Sequence, residues 1–297
     1  MLDIHTWPSR TLIGLLRVVS LLPYSLQLRI GSFFGTCLYY LSRKRRRIAS
    51  INLGLCFPEM AETERDKLLR RHFRALGMGM LETVWLWWAG ESQLRKLAHI
   101  QGLEHLQAAQ AQGRGVIALS AHFTSLEMGA TMLSLFVPTY FMYRPHDDPV
   151  LDRFIYQRRM RWTEKSVRRD NVREMIRLLR QNRVVWYAQD QNTSRKEAVF
   201  VKFFGQTAST NSATARLAKL TGAAVVPYCA VRREDGSGYD LILEPALENF
   251  PSDDVAADTQ RINDMIERWV RRYPDQYLWV HRRFRTRPNR SDPSPYA

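Results

Sequence analysis

Cysteine is scarce in this chain. Only Cys37, Cys56 and Cys229 occur among 297 residues, widely spaced and without a Cys-x-x-Cys pair. Neither a zinc site nor a disulfide framework is indicated, and a reducing, cytosol-facing setting is expected. Long uncharged apolar runs are also lacking. Leu12–Leu22 lies between Pro8 and Pro23 and is broken by Arg17, and Ile30–Leu41 is shorter than a span needs. Neither reaches the roughly 18 residues of a clean membrane crossing. No basic region precedes the first apolar stretch, so the N-terminus does not read as a cleaved signal peptide. No serine or cysteine stands in a recognisable nucleophile elbow. Acidic residues are few: 29 Asp+Glu against 44 Lys+Arg leave a net charge of +15. Such a field favours anionic partners, whether nucleic acid, anionic lipid or an acidic carrier protein. A basic nucleic-acid-binding protein is the rival reading. The apolar N-terminus and the lack of interleaved basic and aromatic residues argue against it.

What the N-terminus does hold is two short apolar stretches followed by Arg43-Lys44-Arg45-Arg46-Arg47. Apolar chain followed by positive charge predicts an anchor on the cytoplasmic side of a membrane. A pair of core helices and a single tilted span are the alternatives. The composition shift near residue 45 divides the chain into an N-terminal membrane-anchoring helical segment (1–45), a body (46–288) and a flexible basic, Pro-rich tail (289–297).

In the body, apolar runs alternate with amphipathic ones. Strands are expected at 115–121, 139–143, 183–188 and 223–231, with 239–243 pairing onto the last across Asp235-Gly236-Ser237-Gly238. Residues 199–204 are a further apolar stretch. Helices are expected at 62–90, 103–112, 149–162, from Asp170 or Asn171 onward, 209–220 and 259–273. Such alternation predicts an α/β fold: a mixed, mainly parallel sheet covered by helices.

The chemistry concentrates at 115–130. A buried strand runs into the turn Ser120-Ala121-His122-Phe123 and then into a helix, with Glu127 five positions after His122. A strand-to-helix turn sets its side chains at the carboxyl edge of a sheet, where ligands bind. Five helical steps turn about 500°, so His122 and Glu127 cannot share one helix face. They meet only if His122 sits in the turn. Glu127 would then hold one imidazole nitrogen and leave the other as a base aimed at the cleft. The alternative is a satisfied histidine beside a solvated glutamate.

The set His122-Phe-Thr-Ser-Leu-Glu127 resembles the His-x4-Asp/Glu box of glycerolipid and lysophospholipid acyltransferases. The chain is more closely similar to the late acyltransferases of lipid A biosynthesis, the lauroyl/myristoyl transferase family of Gram-negative bacteria. Blocks supporting this run in order: Tyr143–Pro149, Arg159-Met-Arg161, Val185–Asp190, Val199–Gly205 and His281–Pro288. The resemblance spans about residues 10–288. Two departures stand out: Gln189 occupies a position where lauroyl-type members carry proline, and the loop 191–196 differs.

The resemblance implies transfer of a fatty acyl group, lauroyl in type, from acyl carrier protein to a hydroxyl of a 3-hydroxyacyl chain on Kdo2-lipid IVA. It places the enzyme at the cytoplasmic face of the inner membrane, without cofactor or metal. A lipid A myristoyltransferase, or another phospholipid or glycolipid acyltransferase using the same dyad, is the neighbouring reading. His122 would take the proton of the attacking alcohol and Glu127 would hold His122. Arg144, Arg159 and Arg161 are candidates to clamp the phosphorylated glycolipid acceptor, since guanidinium forks match phosphate and carboxylate. Arg159 and the backbone amides at 122–126 compete as oxyanion donors. Asp190, at the end of a buried strand, is a candidate to bind a substrate hydroxyl or orient an arginine. Phe203, Phe204, Trp85 and Trp88 are candidates for the acyl groove or the membrane contact, with plain core as the alternative. Arg282, Arg283, Arg285 and Arg287 suit a membrane or carrier-protein contact.

Overall fold

The structure, a computed structural model, describes residues 7–143, 145–163, 165–168, 171–196 and 198–297. Four helices come first: α1 (Trp7–Ser20), α2 (Tyr24–Leu41), α3 (Arg43–Cys56) and α4 (Glu62–Leu86). There follow α5 (Glu91–Leu97), β1 (Ala98–Gln101), α6 (Leu103–Ala111), β2 (Val116–Ser120), α7 (Leu126–Ser134) and β3 (Thr139–Tyr143). Next are α8 (Pro149–Arg159), β4 (Lys165–Arg168), α9 (Val172–Arg180), β5 (Val184–Ala188), β6 (Ala198–Phe203) and β7 (Gln206–Asn211). The described chain closes with α10 (Ala213–Thr221), β8 (Ala224–Arg232), β9 (Tyr239–Leu243) and α11 (Val255–Arg272).

Seven strands form one sheet in the order β1-β9-β8-β2-β5-β3-β4. Every pairing is parallel except β8 with β9. The expected fold class holds: an α/β sheet, mainly parallel, with helices on both faces. β2 lies centrally and is buried along its whole length. Its side chains alternate between two cores, as the two-residue period of a strand requires. Ile117 and Leu119 join α9, α10 and α11 on one face. Val116 and Ala118 join α6, α7 and the end of α4 on the other. A separate antiparallel hairpin, β6–β7, sits against α11, where the Asn263 amide donates to the Lys202 carbonyl at 2.9 Å.

Among the described residues no helix is long and apolar enough to cross a membrane. The spanning form of the N-terminal anchor is therefore excluded for them. α1 has only 14 residues, and α2, with Gln27 and Arg29 in its first turns, packs closely onto α4. A Cβ added at Gly35 would come within 2.1 Å of the Phe73 carbonyl oxygen. The outer faces of α1 and α2 stay apolar and exposed: Leu15, Val18 and Leu21 on one, Phe33 and Leu41 on the other. The basic run 43–47 is the first turn of α3, a helix, where the composition suggested a boundary. At the far end Tyr296, in the stretch expected to be a flexible tail, is buried, and its hydroxyl donates to Asn52 Oδ1 at 2.5 Å.

Candidate active site

β2 ends at Ser120, and the chain turns through residues 121–125 before α7 begins at Leu126. Three contacts fix this turn. The His122 carbonyl accepts from Leu278 N–H at 2.9 Å, and Thr124 N–H donates to the Gln276 carbonyl at 2.7 Å. From behind, α4 passes so close that a Cβ on Gly79 would lie 2.1 Å from the Thr124 carbonyl oxygen. The N-cap position falls on Ser125, yet its hydroxyl donates to the Ala230 carbonyl at 2.8 Å instead of capping the helix. His122 thus sits in the turn before the helix, as the spacing required.

Its partner differs from the expectation. The His122 Nδ1–H donates to Asp190 Oδ1 at 2.6 Å, and the His122 backbone N–H donates to the same oxygen at 3.0 Å. β2 and β5 are paired neighbours, with Ser120 opposite Ala188, so the residues that follow each strand emerge side by side. Glu127 lies in the first turn of α7 and turns away from His122 to Arg159. Arg159 Nε donates to Glu127 Oε2 at 3.2 Å and its Nη2 donates to Oε1, a fork-on-fork pair. Sitting in the turn does not bring His122 to Glu127, whose carboxylate is held by α8. The guanidinium of α8 takes the carboxylate that spacing had assigned to the imidazole.

Asp190 is fully buried and surrounded by donors. Burial by itself raises its pKa. His122, the Tyr277 hydroxyl and the nearby Arg283 guanidinium outweigh burial and hold the carboxyl at about 2. The carboxylate is therefore ionised near neutrality, and it fixes the His122 proton on Nδ1. Nε2 is left with its lone pair, on a residue that lines the large cavity. Arg283 is itself buried. It donates to the Ser209 carbonyl and to Thr210 Oγ1, each at 2.7 Å. It is a structural cation beneath the site, not the surface contact expected of it. His281 stands close by. Burial chiefly, and then His122 and Arg283, pull its pKa down to about 4 against the pull of Asp190. It is neutral, and its Nε2 accepts from Asn192 N–H at 3.0 Å.

The cavity measures about 1030 Å³ and opens at the carboxyl edge of β2, β5 and β3. His122, Glu127 and Arg159 line it together with Tyr143, Gln189 and Asn192. The other expected site residues fall elsewhere. Arg161 donates to the carbonyls of Trp87 at 2.9 Å and Ala89 at 3.1 Å, tying the end of α8 to the end of α4. Phe203 and Phe204 are buried in an aromatic cluster with Phe57, Tyr277 and Trp279. Trp85 is core, against Tyr24. Trp88 is half-buried between the Arg17 and Arg158 guanidinium groups. None of these aromatic residues lines the large cavity. Arg144 lies outside the described residues. Tyr277, His281 and Arg283 were missed as site residues. For His281 and Arg283 the sequence signal was the His281–Pro288 block, which gave no reason to place it under His122, and Tyr277 carried none.

A family model described as bacterial lipid A biosynthesis acyltransferase matches residues 3–286. The chain is 36% identical over 277 residues to the lipid A biosynthesis lauroyltransferase of Escherichia coli (strain K12), covering 93% of this chain and 90% of that one. It is 37% identical over 277 residues to the lipid A biosynthesis palmitoleoyltransferase of the same organism, with the same coverage. A crystal structure of the 1-acyl-sn-glycerophosphate acyltransferase PlsC from Thermotoga maritima covers 83% of this chain and 96% of its own. At a TM-score of 0.38 and 15% identity, that likeness is too faint to build on.

Proposed function

The chain belongs to the bacterial lipid A biosynthesis acyltransferase family and is an acyltransferase, and on that premise we propose that it moves a fatty acyl group from acyl carrier protein to a hydroxyl of a 3-hydroxyacyl chain on Kdo2-lipid IVA, with His122 as general base. The observation that carries this reading is the ionised Asp190 on Nδ1, which leaves Nε2 basic at the cavity. His122 Nε2 takes the acceptor's hydroxyl proton as its oxygen attacks the thioester carbonyl carbon. The tetrahedral intermediate collapses, the C–S bond breaks, and the imidazolium returns its proton to the leaving thiolate. The donor is already an activated thioester, so no acyl-enzyme is needed.

Asp190 orients the imidazole and stabilises its cationic form, the part first assigned to Glu127. Glu127 and Arg159 act as a unit on the cavity wall. The carboxylate preorganises the guanidinium, which presents its remaining N–H groups to an anionic part of the glycolipid. Lauroyl and palmitoleoyl donors are equally supported by the relatives, so chain length is a matter for experiment. The exposed apolar residues of α1 and α2, next to the basic start of α3, favour a chain lying on an anionic membrane surface. Such a surface supports a working position at the cytoplasmic face of the inner membrane. The test uses purified protein, acyl carrier protein donors and the tetra-acylated Kdo precursor. His122→Ala is expected to lower turnover roughly 10²–10⁴-fold with the fold intact. Near-normal turnover in that variant would end the general-base reading.

A further inference from the structure

The cavity continues past the base into a groove between α9 and α10. Val172 and Met175 line it from α9, and Ala213, Leu217 and Leu220 from α10. Each set is spaced three or four residues apart, so each comes from one helix face. Met175 and Leu217 are buried and form the floor, while Val172 and Leu220 are exposed at the rim. From Ala213 to Leu220 the α10 wall runs about 10 Å at 1.5 Å per residue. The groove is lined chiefly by apolar side chains, with the exposed Arg216 of α10 at its rim, and it is part of the cavity that holds His122.

At the groove's head stands Gln189, next to the aspartate that orients the base. It is 2% exposed and lines the cavity. Its Oε1 accepts from Thr214 N–H at 3.0 Å, in the first turn of α10. Its Nε2 has no partner among the described residues. A buried amide donor left open costs free energy unless something accepts from it. Competing donors at the turn are already committed. His122 N–H goes to Asp190, Phe123 N–H to the Ala121 carbonyl, and Thr124 N–H to the Gln276 carbonyl. Arg159 is forked onto Glu127 through Nε and Nη2.

We propose that the donor's fatty acyl chain lies in the α9–α10 groove and that Gln189 Nε2 holds the thioester carbonyl oxygen at its head. The inference rests on the acyl-transfer reading with His122 as base and adds where the acyl chain goes. Reacting carbon and base are then on one side of the cavity, and the Glu127–Arg159 wall is free for the acceptor. As the acceptor oxygen attacks, negative charge grows on the carbonyl oxygen, and the Gln189 donor strengthens its hold there.

The experiment compares steady-state rates across a panel of acyl carrier protein donors of graded chain length, with the acceptor fixed, and then across acceptors with the donor fixed. Leu220→Trp, a change at an exposed position that leaves the core untouched, narrows the groove. It is expected to shift the ratio of long-chain to short-chain turnover at least tenfold toward short donors. Gln189→Glu, assayed where the carboxyl is ionised, keeps the acceptor for Thr214 N–H, loses the donor and sets a negative charge against the developing oxyanion. It is expected to lower kcat ten- to a hundredfold with little change in KM. A donor profile unmoved by Leu220→Trp, or an effect seen only across the acceptor panel, would overturn the groove. A Gln189→Glu kcat within twofold of the parent would overturn the carbonyl contact. Full turnover in His122→Ala would instead remove the reading beneath both, so the two failures are told apart.

Discussion

Glu82–Arg232 and Glu127–Arg159 both fork across distant parts of this chain, and they differ in what surrounds them. Glu82 of α4 meets Arg232 at the end of β8 with side chains 1% and 5% exposed. Around that pair every group is met. The Tyr24 hydroxyl donates to Glu82 Oε1 at 3.2 Å, and Gln276 brackets the Arg232 backbone with two bonds of 2.8 Å. Glu127 and Arg159 make the same fork, but on a cavity wall and with side chains 26% and 21% exposed. The chemistry of the pair is constant. The first pair is closed in by protein, and the second still faces open space. A closed pair can only stabilise, or destabilise if broken. An open one has donors to spare for a ligand.

Asp190→Asn should give the largest change, because it alters the base that both cavity groups serve. The neutral amide no longer holds the proton on Nδ1, and turnover is expected to fall by roughly 10²–10⁴ with the thermal midpoint little changed. A loss of fold equal to the loss of turnover would place Asp190 with the closed pair instead. Glu82→Ala should be next. Removing one partner of a buried pair strands the other charge and costs about 3–5 kcal/mol. Denaturant titration should show that loss, while activity per folded molecule stays close to the parent. Glu127→Ala should do the reverse. A pair this exposed contributes about 1 kcal/mol or less to stability. The acceptor KM is nonetheless expected to rise roughly tenfold, the worth of about 1.4 kcal/mol. If Glu127→Ala unfolds the chain and leaves KM alone, the distinction between the pairs collapses.

The smallest effect is a pH dependence. His72 and His281 have pKa values lowered to about 4, chiefly by burial. Folded, both stay neutral, whereas the unfolded chain binds protons on them below about 6.5. Stability is therefore expected to fall as pH drops from about 6.5 toward 4. Asp190 acts in the same direction, in a lower pH window. Its contribution is present above the ordinary aspartate value and is lost only as pH falls toward 2. His72→Gln should flatten the upper part of the acid limb of a thermal-denaturation series without touching the lowest part.

The strands that were legible in the sequence are those that lie in the sheet's apolar interior. Runs such as Val116–Leu119 and Val184–Trp186 have one composition because both faces are covered. β4 (Lys165–Arg168) begins and ends with a charge, and with β1 it closes an edge of the sheet, so neither carried the signal. β7 is Gln-Thr-Ala-Ser-Thr-Asn, a polar strand, and its last residues had been assigned to the helix after it. α3 was hidden by its own first turn, where five basic residues suggested a boundary. The base was legible because it rests on local spacing. Its partner was not, since Asp190 is 68 positions away and depends on β2 and β5 being neighbours. Asp190 was identified as a site residue with a different task. Glu127 was identified as the partner of His122, and the structure sets Asp190 against that imidazole instead.

The segment from Gln276 to His281 has a consequence in time as well as in space. Gln276 and Leu278 close the turn that carries His122, Tyr277 supports Asp190, and Asn52 clasps the carbonyls of Trp279 and His281. Apart from Arg283, the other parts of the site are synthesised before these residues. A nascent chain can thus hold β2, β5 and the cavity walls while its base still lacks support. The groups around Asp190 are complete only when translation has passed Arg283. A message interrupted before codon 276 would yield a protein with most of its sheet and no working site.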